Sequence, residues 1–69
     1  MDRNEWIESF AAEIGVPAPG EKQIEAILEL AATAAHASER TAAPVASWLA
    51  GISGRPLSEL VEAAEQVSS

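Results

Sequence analysis

His36, Glu39 and Arg40 are the residues of this chain best suited to chemistry. His36 is the only histidine, and there is neither cysteine nor tyrosine. On a continuous helix, His36 and Arg40 are four residues apart and share one turn. Together with the N-terminus of a following helix they could receive an anion or a partner's carboxylate. Placed near a helix end, the same pair could equally hold two helices together by bonding backbone carbonyls, which the helix dipole favours. A metal is the remaining option. A di-iron bundle site needs Glu-x-x-His from two helices, whereas here the order is reversed, His36-Ala-Ser-Glu39, and occurs once. Such a site could form only across a symmetric dimer with help from carboxylates. Thiolate sites and disulfides are excluded by the absence of cysteine. No phosphate loop is present, because the glycines of GVPAPG and LAGISG lack the spacing and the preceding strand. No catalytic residue, cofactor site or metal site is therefore assigned, and the chain is expected not to be an enzyme.

Charge narrows the partners. Four basic and eleven acidic residues give a net charge of −7. Lys22, Arg3, Arg40 and Arg55 are too few and too scattered to form the basic stripe a nucleic-acid binder needs. The same sign disfavours anionic membrane. The N-terminus is charged and amphipathic rather than a leader, and no apolar run approaches the ~20 residues that span a bilayer. A soluble cytoplasmic protein is expected.

The elements that must position these residues are four helices. The first runs from about Asp2 to Ile14, capped by Asp2 or Asn4, with Trp6, Phe10 and Ile14 in one stripe beside Ile7. Gly15 stops it, and the prolines of GVPAPG keep the next stretch non-helical. The second helix covers about 21–37. Ile24, Ile27, Leu28, Ala31, Ala34 and Ala35 form its inner face, and Lys22, Glu25, Glu29 and His36 lie opposite. A bend near Ser38 would turn His36 inward. The third helix, about 42–53 with Thr41 as N-cap, carries no charged side chain from Thr41 to Gly54. Val45, Trp48, Leu49 and Ile52 make its strong face, and Ala43, Ala46, Ser47, Ala50 and Gly51 a flat face of small residues. The fourth covers about 56–67, with Leu57, Leu60, Val61, Ala64 and Val67 inward. Short loops make neighbours antiparallel. The expected fold is all-α: a compact antiparallel four-helix bundle, one domain over 1–69.

A helix that is apolar or small on every side is normally surrounded by protein, and this short chain has little to surround it with. The third helix therefore points to a partner surface. Trp6 falls on an apolar stripe and is assigned to the core. Trp48 fits core and interface equally, tryptophan being a common interface anchor. The small-residue face, Ala43, Ala46, Ser47, Ala50 and Gly51, is the candidate for close packing against a second molecule, which makes a homodimer one expected state and a heterologous protein partner the other. His36, Arg40 and Trp48 are the candidate contacts for a partner or anion.

The stretch Ala34–Gly51 resembles the signature of a small bacterial family of unknown function. That pattern runs Ala-His, three residues, Arg, three residues, Pro, three residues, aromatic-Leu-x-Gly, and is met by Ala35, His36, Arg40, Pro44, Trp48, Leu49 and Gly51. Trp48 stands where that family more often has Phe. The opening is similar as well, with Trp6-Ile7 and then Gly15-Val16-Pro17. Domains of that kind stand alone or are attached to enzymes resembling molybdenum cofactor guanylyltransferases. The resemblance implies an accessory role in molybdopterin guanine dinucleotide cofactor assembly, with a cofactor-maturation enzyme as partner, and no catalytic residues.

Overall fold

The computed structural model describes all 69 residues, and it contains four helices and no strand. They are α1 (Arg3–Ile14), α2 (Glu21–Ala37), α3 (Ala42–Ser53) and α4 (Leu57–Ser68). The all-α bundle expected from the periodicity is the fold observed.

Local chemistry sets each boundary. The Asp2 side chain accepts from the Glu5 N–H at 2.8 Å, and the Glu5 side chain accepts from the Asp2 N–H at 3.0 Å. This reciprocal box satisfies two of the donors a helix start leaves open. At the other end Gly15 adopts φ 77°. Its N–H reaches the Ala12 carbonyl and that of Val16 reaches Ala11, a Schellman closure that a residue with a Cβ enters only at a cost. Gln23 accepts from the Gly20 N–H at 2.8 Å at the start of α2. Thr41 occupies the cap position of α3, but its side chain makes no capping bond. Its backbone is already helical, and the corner is closed by bonds from Ala42 N–H to the Glu39 carbonyl and from Ala43 N–H to that of Arg40. Gly54, at φ 69°, ends α3. Pro56 stands just before α4 rather than inside it.

The long helix α2 is the hub. Both α3 and α4 pack on it, and no other pair of helices makes more than a marginal approach. Two neighbours require a wide inner face, and that changes the register expected for α2. Leu30, outside the expected stripe, is 5% exposed and a centre of the core, whereas Leu28, placed inside the stripe, is exposed. Ile24 and Val61 are buried beside it in the chain's small core, with Ala11 the fourth.

On α1 the inward residues are Ala11, which is buried, and Ile7, which is half-buried. The expected core stripe Trp6, Phe10 and Ile14 faces outward, with Trp6 55% exposed. Trp6 and Phe10 cover each other instead, their rings stacked with centroids 5.1 Å apart. One long-reach ion pair, Arg3 to Glu21 at 3.9 Å, joins α1 to α2. Both partners are well exposed, so the pair adds little to stability.

Candidate interaction surface

The two faces of α3 have opposite fates. Ala42, Ala43, Ala46, Ser47 and Ala50 are half-buried on the side that meets α2. Small side chains let two helix backbones approach closely, and the Ala31–Ala35 run of α2 offers the same on the facing helix. The Ser47 hydroxyl spends its hydrogen on the Ala43 carbonyl at 2.9 Å, so no polar group is stranded there. Four of the five small residues expected to meet a second molecule are thus half-buried where α3 meets α2. Gly51 is the exception: it is exposed, and a Cβ added to it would meet nothing within 4 Å. Gly51→Ala is therefore expected to raise stability by about 0.5–1 kcal/mol, the ordinary penalty for glycine within a helix. Urea denaturation with an unchanged m-value would show it.

The strong face is left outside. Val45, Trp48, Leu49 and Ile52 are all more than half exposed, with Trp48 at 65%. Their spacing of three, four and seven residues aligns them in one seam of the kind that pairs helices in coiled coils. An exposed leucine alone needs no explanation, but a contiguous apolar patch does. This patch continues past Leu49 into a groove between α3 and α4, floored by α2, of about 500 Å³. Leu30, Ala34, Ala46, Ala50, Leu60 and Ala64 are among its walls, and no charged residue lines it. A second depression of about 510 Å³ lies near the α3–α4 corner, where Ile27, Gly51 and Leu57 meet Arg55. Arg55 is held by Glu59 in the first turn of α4, at 3.2 Å.

His36 and Arg40 are not on one helical turn. Residue Ala37 ends α2, and Ser38, at φ −138° and ψ −107°, turns the chain away before Arg40. His36 keeps the polar side that helical phase gives it and stays exposed, as do Glu39 and Arg40. Neither His36 nor Arg40 takes part in a side-chain hydrogen bond or ion pair; backbone bonds alone close the α2–α3 corner. The expected bridge between helices is not made. No three histidine, aspartate or glutamate side chains converge. No helix is long and apolar enough to cross a membrane.

The family model for the domain of unknown function DUF6457 matches residues 1–69. The chain belongs to that family. The match takes in all four helices, and with them both faces of α3 and the groove beside it. No curated protein and no solved structure matches the chain.

The groove walls on α4 and the floor residue Leu30 were not marked as site residues by the sequence. Leu60 and Ala64 were legible only as one inner stripe, because groove and core draw on the same apolar positions. A site made by three helices that fail to close over it has no local signature.

Proposed function

We propose that this protein is a non-catalytic helical interaction module that works in the cytoplasm as an accessory to molybdenum cofactor biosynthesis, and that α3 is its contact face. The carrying observation is the Val45–Trp48–Leu49–Ile52 seam, exposed on a helix with no charged side chain to hydrate it. Apolar surface of this extent gains about 25 cal/mol for each Å² withdrawn from water. A tryptophan standing at its centre is the side chain most often found to anchor an interface. The cofactor setting rests on the family resemblance carried by Ala35, His36, Arg40, Pro44, Trp48, Leu49 and Gly51. An enzyme resembling a molybdenum cofactor guanylyltransferase is the proposed client.

Capture of that enzyme from the same cells by the tagged protein tests the reading. Wild-type protein should retain it, and Trp48→Glu should weaken retention about 30-fold or more, as loss of an interface anchor does. Equal retention by both proteins would remove α3 as the contact face, and no retention by either would remove the client.

A further inference from the structure

We infer that the molecule seated on the α3 seam is a second copy of this chain, so that the protein is an isologous dimer paired through Val45, Trp48, Leu49 and Ile52. The inference rests on reading α3 as a contact face and names a second copy as what covers it in the absence of the client, which would have to displace that copy. Surface area is the first argument. A folded monomer of 7.2 kDa exposes about 4,100 Å². This chain exposes 5226 Å², an excess of about 1,100 Å² over that scaling. Two copies each withdrawing the excess would bury about 2,200 Å², within the range of obligate homodimers and above the standard interface. The radius of gyration agrees: 12.5 Å against roughly 11 Å for a chain of this length. The single chain is more open than its size requires, and that excess is enough surface for a dimer of this kind.

Charge is the second argument, and it selects the face. A two-fold interface brings each patch against itself, so a chain of net charge −7 can self-pair only where it carries few carboxylates. Helix α1 carries Glu5, Glu8 and Glu13 and α4 carries Glu59, Glu62 and Glu65, mainly on the sides away from their apolar stripes, with Glu13 alone flanking that of α1. Helix α3 has no ionisable side chain, and the groove beside it has none. It is the one helix that carries no ionisable side chain to set against its own copy. Antiparallel pairing about the two-fold axis also sets the dipoles of the two α3 helices head to tail. The groove walls around Leu49, Leu60 and Val67 continue the contact.

Sedimentation equilibrium over a wide range of concentration tests the inference on the full chain. Wild type is expected at twice 7.2 kDa down to low micromolar concentration. Trp48→Glu and, separately, Leu49→Glu are expected to raise the dimer dissociation constant about 30-fold or more. Their circular dichroism should remain that of four helices, since neither side chain is in the core. A wild-type protein that stays at the monomer mass overturns the second copy, while enzyme capture through Trp48 would still uphold the contact face. A dimer undisturbed by either substitution overturns the α3 assignment itself. An Ile14→Glu variant serves as the control on α1, and loss of the dimer there with α3 variants unaffected would move the interface to α1 and overturn the inference.

Discussion

Leu30→Ala is expected to leave a substantial part of the protein unfolded under conditions in which the wild type is folded. Leu30 is 5% exposed on the helix that carries both neighbours. Deleting a buried leucine to alanine costs about 2–5 kcal/mol, the transfer term and the cavity term together. A domain below about 70–80 residues draws only roughly 3–5 kcal/mol from its core. One substitution therefore removes most of the margin. Its position also adjoins the groove between α3 and α4, so partial collapse of those walls sets where in the range the cost falls. Thermal and urea denaturation by circular dichroism would measure it. A loss of less than about 1 kcal/mol would mean that the α2 core carries far less of the stability than its burial implies.

The second large effect is a contrast between two faces of one helix. Ala50→Glu is expected to cost about 2–3 kcal/mol by placing an unpaired carboxylate on the half-buried apolar face where α3 meets α2. Ala50 is half-buried and lines the apolar groove, where no charged residue stands to pair a carboxylate. Trp48→Glu, two residues earlier and on the opposite side, is expected to change the stability of the isolated chain by no more than about 0.5 kcal/mol. The comparison belongs at dilutions where both proteins are monomeric, because association adds stability by mass action. If Trp48→Glu proved the more damaging of the two under those conditions, α3 would have to pack on α2 by its strong face. The two faces would then exchange roles.

That contrast also marks where periodicity was a good guide and where it was not. The start of α2 and the end of α3 follow from local chemistry: Pro17, Pro19 and Gly20 before α2, and Gly54 after α3. Asp2 with Glu5 starts α1, and Gly15 at φ 77° ends it. These effects act within a few residues and are written in the sequence. The facing of each helix is a different matter. A hydrophobic stripe states what would gain from burial, not what a neighbour leaves room for. On α1, Trp6 and Phe10 make the stronger stripe, yet Ala11 is the buried residue. On α3, alanines and a serine face α2 while Val45, Trp48, Leu49 and Ile52 stay outside.

The sequence by itself determined that this protein is a small acidic helical domain. Its four helices, their caps and stops, and the charge-free character of the third are set by residues close together in the chain. Only the tertiary structure decided which apolar faces are spent on the core and which remain. Close approach of α2 and α3 favours small side chains on both, so the alanine face went inward and the bulky seam outward. The turn at Ser38 likewise parted His36 from Arg40, which an uninterrupted helix would have set side by side. Both outcomes depend on how one helix meets another, and that geometry is fixed by backbone distance and corner conformation, neither of which a hydrophobic pattern encodes.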